Sequence, residues 1–123
     1  MARILLAEDD NSVRHFLARS LELAGHEVLA FADGEDALPA LKAGPFDILV
    51  TDIVMPRMGG LELAMKAQEA NPGVPIIYIT GFSAVSVEEP EAQSGISQLL
   101  SKPFHLSSLV EAVHKALKAK EAS

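Results

Sequence analysis

The sequence predicts an α/β fold, one doubly wound parallel sheet of five strands with helices on both faces. Three observations carry that expectation. Short apolar runs alternate with longer stretches of helical periodicity along the whole chain. The third run, Ile48-Leu49-Val50, is contiguous rather than alternating, as in a strand covered on both faces. Strand and helix in strict alternation mean parallel strands joined by right-handed crossovers.

The elements follow in order. Arg3–Ala7 is a compact apolar run closing on acids and reads as a buried strand. Phe16, Leu17, Ser20, Leu21 and Ala24 recur at helical spacing, with Asp10 or Asn11 as cap and Gly25 as stop. His26–Ala32 sets Val28, Ala30 and Ala32 on one side, a second and more peripheral strand. Asp33–Ala43 is a helix capped by Asp33 and ended by Gly44. Pro39 falls inside it and removes a ladder bond, so this helix is expected to be short or kinked. Phe46–Thr51 is the third strand, followed by a loop from Asp52 to Gly60 that holds Pro56. Leu61–Ala70 is a helix ended by Asn71-Pro72-Gly73, Pro75–Thr80 the fourth strand and Ile96–Ser101 the fifth. Between them Ser83–Gly95 has a poor helical stripe, and Pro90 with its serines predicts a weak or short helix. The last helix, Leu106–Ala119, should bury Leu106, Leu109, Val110, Val113 and Leu117, and Ser108-x-x-Glu111 has capping-box spacing. Phe16, Phe46 and Phe104 are expected in the core.

Composition narrows the function. The chain has 123 residues, a formal charge of −7 and no cysteine. That length suits one domain, residues 1–123, burying roughly two-thirds of its unfolded surface. Disulfides, thiol nucleophiles and thiolate metal sites are excluded together, and a reducing, cytoplasmic setting fits. The acidic balance opposes nucleic acid as a partner. No apolar run approaches the ~18 residues of a membrane span, and Glu8-Asp9-Asp10 rules out a signal peptide.

In open sheets of this kind functional groups collect beyond the carboxyl ends of the strands. Those ends deliver Glu8 and Asp9, Asp52, Thr80, and Lys102 followed by Pro103. Three carboxylates and one ammonium sum to −2, which a divalent cation neutralises. The candidate ligands are all oxygens, which selects Mg²⁺ or a similar hard ion over zinc. Lys102 and Thr80 suit a phosphoryl group, one as a point charge and one as a hydroxyl donor. A carboxylate can itself be the nucleophile, and Asp52 is the natural acceptor because its strand should be central.

Four motifs now stand in order: Ile4-Leu5-Leu6-Ala7-Glu8-Asp9-Asp10, Thr51-Asp52-Ile53-Val54-Met55-Pro56-Arg57-Met58-Gly59-Gly60, Ile79-Thr80-Gly81 and Ser101-Lys102-Pro103-Phe104. Each is weak alone; together they are specific, and the whole chain resembles response-regulator receiver domains of the chemotaxis-regulator type. The resemblance implies a flavodoxin-like sheet of order 2-1-3-4-5. It implies phosphorylation of Asp52 in a histidine-kinase phosphorelay. It implies Mg²⁺ held by Asp9, Asp52 and the backbone carbonyl of Val54, with Glu8 reaching it through water. Thr80 and Lys102 would contact the phosphoryl group.

Three positions depart from the usual pattern. Leu99 stands where a switching aromatic is common, Gly59 where an acid is common, and Gly81 where alanine or serine is frequent. Gly81, Phe82 and Leu99 are therefore the switch positions to watch. The opening motif, Leu99 and Thr80-Gly81-Phe82 look most like stand-alone receivers of the CpdR type, which implies control of regulated proteolysis or the cell cycle. The expected partners are a histidine kinase or histidine phosphotransfer protein and a downstream protein, such as a protease or kinase. The only catalysis expected is of the chain's own phosphorylation and dephosphorylation. The alternative is a phosphoryl shuttle to a histidine phosphotransfer protein.

The same residues admit blander readings and other classes. Glu8-Asp9-Asp10 alone is more often a cap and solvated turn, and His15, His26, His105 and His114 show no ligand spacing. An aspartyl phosphatase would need an acid at Val54. A flavin carrier would need a hydroxyl- and glycine-rich loop where Glu8-Asp9-Asp10 stands.

Overall fold

A computed structural model describes residues 2–53, 55, 57–80, 97–101 and 106–122. Its elements are β1 (Arg3–Ala7), α1 (Asn11–Leu23), β2 (Glu27–Phe31), α2 (Gly34–Ala43), β3 (Ile48–Asp52), α3 (Gly60–Ala70), β4 (Ile76–Thr80), β5 (Ser97–Ser101) and α4 (Leu106–Ala122). All strand pairs are parallel and the order is β2-β1-β3-β4-β5. The expected fold and strand order are thus observed. The reading of Ser83–Gly95 as a weak helix, and of Phe104 as core, lies outside the described residues.

Side-chain alternation along the strands divides the core into two layers. Leu5, Ala7, Leu49, Ile76 and Tyr78 face α2 and α3, where they meet Ala37, Leu41, Leu63, Ala64 and Ala67. Ile4, Leu6, Ile48, Val50, Ile77 and Ile79 face α1 and α4, where they meet Leu17, Leu21, Leu109, Val113 and Ala116. Each fully buried leucine or isoleucine stabilises the fold by about 1.5–3 kcal/mol relative to exposure. All five residues of β3 are buried, while β2 is only partly covered, as befits a central and an edge strand. Leu109 and Val113 are buried as expected and Val110 and Leu117 are half-buried.

Local chemistry sets the helix ends. Asp10 caps α1, its Oδ1 accepting the Val13 N–H at 3.0 Å. Gly25, at φ 98, ends it, with Gly25 N–H on the Glu22 carbonyl and His26 N–H on that of Leu21. That pair of bonds is a Schellman motif and needs a left-handed residue at this point. α2 runs ten residues with Pro39 inside it, short as expected.

Two expectations are corrected. Phe16 is 63% exposed rather than core, because the buried stripe of α1 runs through Leu17 and Leu21 and leaves Phe16 about 100° off it. Ser108 and Glu111 are not a capping box, since α4 starts at Leu106 and both lie inside it.

Candidate metal centre

Glu8 follows the last residue of β1, and its N–H extends the ladder to the Phe31 carbonyl at 3.0 Å. Its side chain is fully buried. Burial of a carboxylate is costly unless polar groups meet it. Here the Asp10 N–H donates to Glu8 Oε2 at 3.0 Å, and Arg14 Nη1 donates to the Glu8 carbonyl at 2.8 Å. Arg14 also donates to Asn11 Oδ1, so the first turn of α1 is tied to the end of β1. Asp9 is exposed at the mouth of the site. Asp52 ends β3 and is 6% exposed.

Each of Glu8, Asp9 and Asp52 offers a carboxylate oxygen, and these oxygens lie within 4.8 Å of one another. Three negative groups drawn from two strands, two of them buried, form a hard, oxygen-only donor set. Such a set fits a divalent cation of the Mg²⁺ type, which takes oxygen ligands and retains several waters.

Sheet register places the remaining candidates. Asp52 pairs with Ile79, so Thr80 lies one step further along the neighbouring strand, at the same edge. Leu99 pairs with Tyr78, and Ser101 with Thr80, which brings the chain to the same edge immediately before Lys102. Lys102, Val54, Gly81 and Phe82 themselves lie outside the described residues.

The loop after Asp52 is packed closely on its surroundings. A Cβ on Gly60 would lie 2.0 Å from the Asp52 carbonyl oxygen, and one on Gly34 would lie 2.8 Å from Met58. Arg57 has φ 67, the left-handed region that side chains rarely adopt. Its Nε and Nη2 donate to Asp33 Oδ2 at 3.0 and 2.5 Å, and Nη2 donates to Asp36 Oδ1 at 3.1 Å. Glu35 is 3.3 Å from its Nε. The Asp36 backbone N–H, and then Arg57, hold the Asp33 carboxyl below its ordinary range.

Sequence reasoning missed this arginine, and it missed a histidine pair. His26 Nε2 lies 3.2 Å from His114 Nε2, and the Ala2 N–H donates to His26 Nδ1 at 3.1 Å. The two histidines are 88 positions apart, on β2's leading end and on α4, so no local spacing could reveal them.

A five-stranded doubly wound sheet with an acidic triad at its carboxyl edge fits a receiver. Residues 4–114 match the response regulator receiver domain, and the chain belongs to that family. It is 49% identical over 117 residues to the response regulator receiver protein CpdR of Brucella abortus (strain 2308), covering 95% of this chain and 98% of that one. It is 34% identical over 113 residues to the C4-dicarboxylate transport transcriptional regulatory protein DctD of Rhizobium meliloti (strain 1021), spanning 92% of this chain but only 25% of that longer protein. Among solved structures, it resembles the response regulator protein TrrA of Thermotoga maritima, determined in complex with Mg²⁺-BeF. That likeness has a TM-score of 0.81 at 29% identity and covers 94% of this chain and 99% of the other.

Proposed function

We propose that the chain is a cytoplasmic, single-domain receiver, phosphorylated on Asp52 with Mg²⁺, that signals by phosphorylation-dependent binding to another protein. The convergence of the Glu8, Asp9 and Asp52 oxygens within 4.8 Å carries this reading. An Asp52 carboxylate oxygen attacks the phosphorus of a phosphohistidine on the donor kinase or phosphotransfer protein. A P–O bond forms, the P–N bond breaks, and the imidazole leaves. Glu8, Asp9, Asp52 and the Val54 carbonyl are the residues assigned to the cation, which when bound screens the charge between the carboxylate and the phosphoryl oxygens. Thr80 and Lys102 are assigned to the transferred group, the hydroxyl as donor and the ammonium as counter-charge. Likeness to CpdR over nearly its full length supports output from the domain's own surface. The class of target proposed is a protease or kinase.

The test is intact-mass spectrometry after incubation with acetyl phosphate and Mg²⁺. One phosphoryl group is expected on the wild type. Asp52→Asn and chelation should each abolish it, and Asp9→Asn should weaken it. Undiminished acid-labile phosphate on Asp52→Asn would refute the assignment.

A further inference from the structure

The Glu8 carbonyl belongs to the peptide that joins Glu8 to Asp9, two of the three members of the acidic triad. Arg14 Nη1 donates to that oxygen at 2.8 Å from the first turn of α1. The other guanidinium terminus, Nη2, donates to Asn11 Oδ1 on the same turn. The next peptide, between Asp9 and Asp10, is held as well. Its N–H donates to Glu8 Oε2 at 3.0 Å, and Asp10 Oδ1 caps α1 through the Val13 N–H. Both peptides flanking Asp9 are therefore fixed, one by a guanidinium and one by the Glu8 side chain.

This bears most on Asp9. Glu8 is fully buried and Asp52 nearly so, and their surroundings hold them. Asp9 is exposed, so packing does little to direct its carboxylate. Its place beside the other two is set by the backbone that carries it. A peptide is planar, so fixing its carbonyl oxygen fixes the direction in which the chain leaves for Asp9. The choice of acceptor matters too. Arg14 donates to a backbone carbonyl and an amide oxygen, both neutral, and among the described residues it forms no ion pair. An arginine seated on a triad carboxylate would compete with a cation for those oxygens. One seated on the backbone holds the turn without competing.

We propose that Arg14 is a positioning residue for the cation site, holding the peptide between Glu8 and Asp9 so that both carboxylates stay within reach of one cation together with Asp52. This rests on the receiver reading of the acidic triad. Groups behind a metal's direct ligands orient them, and their loss weakens metal binding. The arrangement needs a fork of donors, since one guanidinium makes both bonds at once; a lysine ammonium is a single point.

Mg²⁺ titration calorimetry on the full chain, beside circular dichroism melts, tests it. Arg14→Ala should weaken Mg²⁺ binding by about tenfold. The direction is the discriminating readout. A guanidinium beside a cation site repels the ion, so its removal on charge alone would tighten binding. A role in stability alone would lower Tm and leave the affinity of the folded protein unchanged. Asn11→Ala keeps Arg14 and the Asp10 cap but removes the acceptor that steadies the guanidinium. It should weaken Mg²⁺ in the same direction by less, and the Arg14→Ala/Asn11→Ala double variant should bind as Arg14→Ala does. Mg²⁺ binding in folded Arg14→Ala as tight as in the wild type or tighter, or losses that simply add, would overturn the proposal. Should Arg14→Ala fail to fold, wild-type affinity in Asn11→Ala overturns it instead. A wild-type chain that binds no Mg²⁺ would remove the cation reading itself, and the proposal with it.

Discussion

Replacing Gly60 with alanine probes how closely α3 sits on Asp52, the proposed phosphoacceptor. The new Cβ would lie 2.0 Å from the Asp52 carbonyl oxygen, 2.8 Å from its carbonyl carbon and 3.0 Å from the Ile53 Cα. Relaxed carbon contacts are roughly 3.5–4.0 Å, so the two segments must part by more than about 1 Å. The atoms in the way are backbone and cannot swing aside. Alanine has better helix propensity by up to about 1 kcal/mol, though less at the first helical residue. Overpacking of a tight interior costs about 1–3 kcal/mol. The steric effect wins, and a net loss of about 2 kcal/mol should lower Tm by about 8 °C in a domain of this size. Because the displaced backbone belongs to Asp52, phosphorylation should fall further than stability does; a misplacement of about 1 Å can cost about 100-fold in rate. Circular dichroism melts and acetyl phosphate labelling read the two effects separately. Gly73→Ala is the control: at φ 89 with nothing within 4 Å, it carries strain without overlap. An unchanged or raised Tm for Gly60→Ala with normal labelling would refute the reasoning.

Two more expectations concern charge and water. Burial, then His114, then the N-terminal ammonium hold the His26 pKa below its ordinary value. The unfolded chain therefore binds a proton first as pH falls below roughly 6.5, so stability is lost on acidification. Urea midpoints should drop more between pH 7.5 and 5.5 in the wild type than in His26→Gln; equal drops would remove the pair from the account. In the proposed receiver reading, the hydrolytic water would approach past the positions two after Asp52 and two after Thr80, which in the sequence are the apolar Val54 and Phe82. The phosphorylated chain should accordingly lose its phosphoryl group more slowly than a Val54→Asn/Phe82→Glu double variant, and faster or equal decay in the wild type would contradict this.

What could be read from residues alone was whatever a local pattern encodes. Contiguous Ile48-Leu49-Val50 announced a central strand, Asp33 announced a cap that forms, and of Asp10 and Asn11 it is Asp10 that caps α1. The acidic triad was within reach because strand ends are predictable and sheets gather them. Phe16 misled because helical spacing admits two neighbouring stripes, and only the packing partner decides which is buried. The Ser108–Glu111 pair misled because a capping pattern is equally consistent with a helix that has already begun. Arg57 and the His26–His114 contact were out of reach for a different reason. Arg57 meets Asp33 from 24 positions away, through a backbone turn at positive φ that no residue type announces. His26 meets His114 only because the fold brings the turn between α1 and β2 to α4.

The register that builds the core also builds the site. Ala7 pairs with Thr51, which sets Glu8 level with Asp52; Asp52 pairs with Ile79, and Thr80 with Ser101. The candidate groups therefore follow one another within about one residue across the carboxyl edge. In a parallel sheet a slip of one residue turns every side chain to the opposite face. For β3 such a slip would expel Leu49 from the layer under α2 and α3, and Val50 from the layer under α1 and α4. It would also carry Asp52 away from Glu8. Core burial, acting on Ile48 to Val50 through several kcal/mol, thus fixes the separation of carboxylates whose mutual repulsion would otherwise drive them apart. The charge cluster is held by the apolar residues that precede it on each strand. A divalent cation bound among these oxygens would relieve that repulsion.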